Sequence, residues 1–272
     1  MADTLLKNRI AVVSGAASGI GRELILTLSD TGARTVAVDR DGQGLEETCS
    51  LVGGDEPLAL KVDLLEDGAE DEIVEEAVRA FGSIDVLINC AGIFPTKPAL
   101  EISAEEWDRV LGLNLRAPFL CSQAAARWMV GAGRPGNIVN IASTAGTVAR
   151  PGIAHYGASK AALIMLTKVL AIEWAEHGIR VNAVAPGLVE TPGVGELLST
   201  EGGGRNTGGS WPRYLWLVPA NRTKSPMPSS FWPLRAHPSS PGIRCSWTED
   251  TRPDTRFVDE KLRLTGEGVS TG

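Results

Sequence analysis

Aromatic residues make up only 5% of this 272-residue chain, and its 26 basic residues are outnumbered by 33 acidic ones. The resulting charge of -7 argues against a basic groove, so no nucleic-acid partner is expected. No stretch offers 18 uncharged apolar residues, so no membrane span is expected either. The opening, MADTLLKNRIAVVSG, holds no apolar run followed by a small-residue cleavage site, and a cytoplasmic protein is the expectation. Cys49, Cys90, Cys121 and Cys245 show no C-x-x-C spacing. They read as free thiols, mostly buried, and no metal site is expected. What is there is a glycine-rich chain long enough for one sizeable core.

Residues 1–195 alternate short apolar strands with longer helices. Strands are expected at 10–13, 35–38, 58–62, 84–88, 138–141 and 179–183. Helices are expected at 19–31, 69–81, broadly 107–130, and 158–176. Ser103 can cap the helix beginning at Ala104, with Glu106 as reciprocal acceptor, and Pro118 can bend it. The strands are apolar on both faces, which suits a parallel sheet covered by helices. The expected fold is α/β, a Rossmann-like doubly wound sheet.

Residues 196–272 differ in character. The run GGGRNTGG at 202–209 favours neither helix nor strand. Half of the 16 prolines follow residue 211, as do Trp216, Trp232 and Trp247, with Trp211 at the boundary. Such proline spacing forbids long helices and central strands, yet the tryptophans favour burial. An irregular Gly/Pro/Ser/Trp-rich tail is expected.

Residues 14–21, SGAASGIG, follow the first strand and open a helix. Gly15, Gly19 and Gly21 permit a tight turn, and the helix start offers unpaired N–H donors to a pyrophosphate. A glycine turn that serves packing alone is the alternative. Asp39 closes the second strand, where a carboxylate can accept both ribose hydroxyls and repel a 2'-phosphate. NAD is therefore favoured over NADP, although Arg40 could pair with such a phosphate. A plain exposed Asp-Arg turn is the other reading. Asp63 ends the third strand and could bond an adenine amino group.

Tyr156 and Lys160 stand one helical turn apart. A nearby ammonium favours phenolate, which would let Tyr156 exchange a proton with a hydroxyl or ketone oxygen. Ser143 follows the fifth strand and could hold that oxygen. Asn114 could hold a water beside Lys160. Taken singly, these residues read as packing, a surface charge and a local kink.

Together these motifs resemble the short-chain dehydrogenase/reductase family over residues 8–192. The resemblance implies a dinucleotide-dependent oxidoreductase acting on a small alcohol or ketone, homotetrameric in the family. It implies cofactor contacts from Gly15, Ser18, Gly19, Ile20, Gly21, Asp39 and Asp63. It adds the N-C-A-G segment with Asn89, Ala91 and Gly92, and the P-G-L-V-E-T segment with Pro186, Gly187, Val189 and Thr191. Asn114, Ser143, Tyr156 and Lys160 match the family's catalytic tetrad, with Tyr156 and Lys160 also at the cofactor. A 3-oxoacyl reductase-like activity fits the general resemblance.

The family continues with a substrate-covering segment, a P-E-E-V-A-like helix start and a last strand ending V-D-G-G. None is legible here. Joining the third base of each codon to the first two of the next, residues 211–250 permit D-E-V-A, V-V-F-L-A-S, I-T-G and V-D-G-G in order. A frame displacement beginning between about 193 and 210 is the expectation. Loss of a final helix and strand would expose more apolar surface than a monomer tolerates, against a net stability of about 5–15 kcal/mol. The literal chain is thus expected to be unstable or catalytically impaired, with assembly disturbed.

Overall fold

The computed structural model describes residues 6–187 and the backbone of residues 215–218. Its strands are β1 (Ile10–Ser14), β2 (Arg34–Asp39), β3 (Leu58–Lys61), β4 (Val86–Asn89), β5 (Gly136–Ile141), β6 (Ile179–Pro186) and β7 (Leu215–Val218). The sheet order is β3-β2-β1-β4-β5-β6-β7. The first six strands are parallel, and the order reverses between β1 and β4. Ligands of open α/β sheets sit at such a reversal, beyond the carboxyl ends of the strands.

The strand sequences explain the layers. In β1, Ile10 and Val12 join one core cluster while Ala11 and Val13 join another. This alternation with continuous burial is what a sheet covered on both faces requires. Helices α1 (Gly19–Asp30) and α2 (Gly42–Ser50) cover one face through Leu24, Ile25, Leu28 and Leu45. Helices α3 (Ala69–Phe81), α5 (Ala117–Gly131) and α6 (Ala154–Glu173) cover the other through Ile73, Ala77, Ala125, Met129 and Leu170.

The Ser103 capping box is present: its hydroxyl accepts the Glu106 N–H, and Glu106 accepts the Ser103 N–H. The single helix expected at 107–130 is instead three pieces. Helix α4 (Ala104–Leu111) passes through a π turn (Gly112–Arg116) into α5. Pro118 has no N–H to give the Asn114 carbonyl, and the Ala117 N–H reaches back five residues to Gly112. The turn brings Asn114 to complete burial.

Helix α2 carries no apolar stripe in GQGLEETCS, and its only strong signal is Asp41, which accepts the Gly44 N–H. The tail, expected to be irregular and to lack central strands, contributes β7, antiparallel to β6 from Ala183↔Val218 to Pro186↔Leu215. Its four residues, LWLV, fall between prolines at 212 and 219. They form an edge strand, where proline's constraint is weakest.

Among the described residues no helix is long and apolar enough to cross a membrane, and no cluster of three or more metal-ligating side chains occurs. Cys49, Cys90 and Cys121 are free. The segment for which a displaced frame is expected lies outside the described residues, apart from the backbone of β7.

Candidate active site

The glycine turn closes onto its own chain. Gly15 has φ +72°, and a Cβ there would lie 2.8 Å from the Ala91 backbone. A Cβ on Gly21 would lie 1.9 Å from the Gly15 carbonyl oxygen. Neither position admits a side chain without moving backbone. Gly19 also has positive φ. Ser18 precedes α1, and its hydroxyl makes no capping bond; the first turn carries no acidic residue. Such a helix start suits an anion.

Side chains lock this turn in place. Ala17 N–H donates to Asp39 Oδ2 at 3.1 Å, and Asp41 N–H donates to Asp39 Oδ1 at 3.1 Å. Asp39 is therefore tied to the turn, with Arg40 exposed beside it. Ser14 Oγ accepts the N–H groups of Cys90 and Ala91, joining the ends of β1 and β4. Arg22 donates to the Ala17 carbonyl, Thr48 and Glu47. Ser14, Arg22 and Thr48 were not singled out from the sequence; a serine entering a glycine turn was the available signal.

The other expected residues lie around the same sheet edge. Asp63 follows β3 and accepts the Leu65 N–H. Ile20 is half-buried in the first turn of α1. Asn89 points into the interior, donating to Asn140, Ser122 and the Pro118 carbonyl. Its side chain ties β4 to β5 and α5. Gly92 stands between two expected site residues: a Cβ there would lie 3.0 Å from Asn114 Oδ1 and 3.6 Å from Lys160 Nζ. Pro186 ends β6 and Gly187 follows it, while Val189 and Thr191 lie outside the described residues.

The structure brings Ser143, Tyr156 and Lys160 together at the mouth of β5. Ser143 starts a tight turn (Thr144–Gly146), its hydroxyl accepting the Ala145 N–H. That turn presses on α6: a Cβ on Gly146 would lie 2.8 Å from Lys160 and Ala161 backbone atoms. Gly146 is thus a further position on which the site depends.

The electrostatics differ from the sequence expectation. Burial pushes the Tyr156 phenol above its ordinary value, and the Ser143 hydroxyl bonded to it pulls the other way. Burial pushes the Lys160 ammonium down to about 8. Lys160 is only 5% exposed and donates to the Ile141 carbonyl at 2.7 Å. Its Nζ is 5.8 Å from the Tyr156 ring centre. In this geometry the ammonium is committed to a backbone oxygen, and desolvation of the phenolate outweighs it.

Asn114 is likewise committed. Its Oδ1 accepts the Ile93 N–H, and its Nδ2 donates to the Ile93 carbonyl and to Ser159. It holds the loop after β4 against α6. Phe94 on that loop meets the Tyr156 ring edge-on, with centres 4.5 Å apart.

A doubly wound sheet with this turn at its reversal, and a Ser-Tyr-Lys set one strand away, defines a dinucleotide-dependent α/β enzyme class. The chain belongs to the short chain dehydrogenase family, whose pattern matches residues 9–202. It is 39% identical over 197 residues to (3R)-3-hydroxyacyl-CoA dehydrogenase of Rattus norvegicus, covering 69% of this chain and 76% of that one. It is 41% identical over 192 residues to D-threitol dehydrogenase of Mycolicibacterium smegmatis, covering 70% and 73%. The fold is similar to that of a short chain dehydrogenase from Mycobacterium smegmatis, with TM-score 0.66, 36% identity and coverage of 67% and 78%. It also resembles an NAD+-bound xylitol dehydrogenase, with TM-score 0.64, 33% identity and coverage of 67% and 71%. The chain is an oxidoreductase by family.

Proposed function

We propose that the protein interconverts a small secondary alcohol and its ketone with NAD as redox partner. The observation that carries this reading is the convergence of Ser143, Tyr156 and Lys160 beside a glycine turn that no Cβ can enter. The turn, the uncapped start of α1 and Asp39 fit a dinucleotide: two glycines keep the backbone close, and a carboxylate stands where a ribose would be held. When bound, the dinucleotide would supply the hydride acceptor or donor.

The chain's own residues do the rest. Tyr156 takes the substrate's hydroxyl proton on oxidation and returns one on reduction. Ser143, bonded to the phenol, orients the substrate oxygen. Lys160 places a positive charge behind the ring and so opposes the burial that holds the phenol protonated. Asn114 fixes the loop that walls the site.

The relatives act on hydroxyacyl thioesters and on polyols, so (3R)-3-hydroxybutyryl-CoA and D-threitol are the first substrates to assay. NADP is the weaker candidate because of Asp39. A cytoplasmic homotetramer belongs to the same proposal, tested by fractionation and by light scattering.

A second reading is a dinucleotide-binding protein without turnover. Its support is that the family match ends at residue 202 of 272, at the glycine-rich run that precedes the proline- and tryptophan-rich sequence. Calorimetry with NAD+ and NADP+, paired with an absorbance assay, separates the two. Binding with turnover supports the first. Binding without turnover supports the second, and rereading the coding sequence from residue 190 onward would show whether a displaced frame is the reason.

A further inference from the structure

Helix α6 begins without the usual cap. Its N-cap residue is Ile153, which has no side-chain acceptor, and no side-chain capping bond is made. The third residue of the helix is Tyr156, whose N–H is one of the donors that a Ser, Asp or Asn at the N-cap would normally take. Here the acceptor is Nδ1 of His155, 3.0 Å away. His155 is only 1% exposed. A bond at Nδ1 requires the ring proton to sit on Nε2.

Three loops are stitched around this ring. The Lys97 ammonium donates to both Glu106 oxygens, at 2.8 and 2.7 Å. Glu106 belongs to the α4 capping box, and the Lys97 N–H donates to the Gly152 carbonyl just before α6. The charged groups acting on His155 from the packed elements are Glu106 on α4 and Lys97 on the loop after β4. Glu106 favours the imidazolium; Lys97 and burial oppose it, with burial the largest. The ring is held neutral, as its bond to Tyr156 demands.

We infer that His155 is a positioning residue for Tyr156: it replaces the missing N-cap acceptor of α6, and the Lys97–Glu106 pair fixes the loops around it, so that the phenol meets Ser143. The inference rests on the proposed role of Tyr156. Protonation of His155 would put an N–H against the Tyr156 N–H and break the bond. The acceptor is therefore present at neutral pH and is lost only as pH falls through a value that burial holds below the ordinary 6.5.

Two substitutions test this. His155→Leu removes the acceptor. His155→Asn places Oδ1 at the same bond count from Cβ as Nδ1, and does not titrate. The chain has two tyrosines, Tyr156 and Tyr214. In a Tyr214→Phe background the phenolate absorbance therefore reports Tyr156 alone. The leucine variant is expected to titrate at higher pH, because the phenol loses Ser143. It is also expected to lose about 10- to 100-fold in kcat with little change in KM for NAD. The asparagine variant is expected to restore both values and, in ketone reduction, where the protonated phenol is the active form, to lack the acid-side fall in kcat/KM. An unchanged phenol titration in the leucine variant would overturn the inference, as would a persisting acid limb in the asparagine variant. Absent turnover in every form would instead defeat the functional reading, leaving the phenol titration to decide this one. Nitrogen-15 spectra of the three histidines serve if the leucine variant does not fold. A His155 ring protonated on Nδ1 at neutral pH would contradict the inference.

Discussion

The two halves of the site are built on opposite principles. The glycine-turn side is closed geometry: backbone presses on backbone at Gly15 and Gly21, and Asp39, Ser14 and Arg22 each tie the turn to a neighbouring strand or helix. The phenol side is open chemistry at a cost: it buries a lysine pushed down to about 8 and a tyrosine pushed above its ordinary value. Gly15 and Gly21 on the first side admit no Cβ without a backbone shift, whereas Tyr156 and Lys160 on the second carry the cost of burial in their shifted values. One side fails by folding or binding, the other by reactivity.

The largest effect expected is on the phenol side. Tyr156→Phe should lower turnover by about 100- to 10,000-fold. Its melting midpoint and calorimetric NAD affinity should stay close to those of the parent. A variant that lost NAD binding would make Tyr156 part of the closed geometry and erase the contrast.

Next is Gly21→Ala. The new Cβ would lie 1.9 Å from a carbonyl oxygen, so the turn must shift. A loss of about 1–3 kcal/mol in denaturant stability is expected, with weakened NAD binding. A parent-like melt and affinity would show the turn to be pliable.

Lys160→Met sharpens the contrast further. The shift from 10.5 to about 8 corresponds to a burden on the order of 3 kcal/mol, while leaving the Ile141 carbonyl unpaired costs about 1–3 kcal/mol. The variant should therefore melt no lower than the parent at neutral pH while losing turnover. The sign of the pH dependence follows from the lowered value. The folded state holds fewer protons at Lys160 than the unfolded state between about 8 and 10.5, so the Lys160 contribution to parental stability rises with pH in that window. Cys90 and Cys121, both pushed by burial up to about 12, act in the opposite sense above their ordinary value of 9.0, and Tyr156 does so above 10. In chemical melts from pH 8 to 10, the stability of the parent relative to the methionine variant should therefore rise.

The smallest effect is at Asp39. Asp39→Ser gives up a charged acceptor for the Ala17 N–H, and about 1 kcal/mol of stability is at stake. The ratio of NADP to NAD affinity should increase. An unchanged ratio would mean that Asp39 serves the turn alone.

How much was legible follows the same division. The turn was readable because glycine spacing directly reports where a Cβ cannot fit. Strands β1, β5 and β6 were readable from apolar runs, and α3 from its stripe of Ile73 and Ala77. Helix α2 was not, since Leu45 alone of its buried residues is strongly apolar. The π turn at Asn114 was hidden because Pro118 signals a break but not its geometry. The raised phenol was hidden for a deeper reason. Spacing places Tyr156 and Lys160 on one face, but the ammonium's commitment to Ile141 depends on a strand brought in from elsewhere in the chain.

Under the proposed function, Tyr156 carries the proton in a nicotinamide-dependent reaction on this chain. The most direct measurement is nicotinamide absorbance after mixing the full chain with NAD+ and either (3R)-3-hydroxybutyryl-CoA or D-threitol, run beside Tyr156→Phe at matched NAD saturation. The account predicts reduction of NAD+ by the parent and near-absence of it in the variant. Equal rates in the two proteins would contradict it.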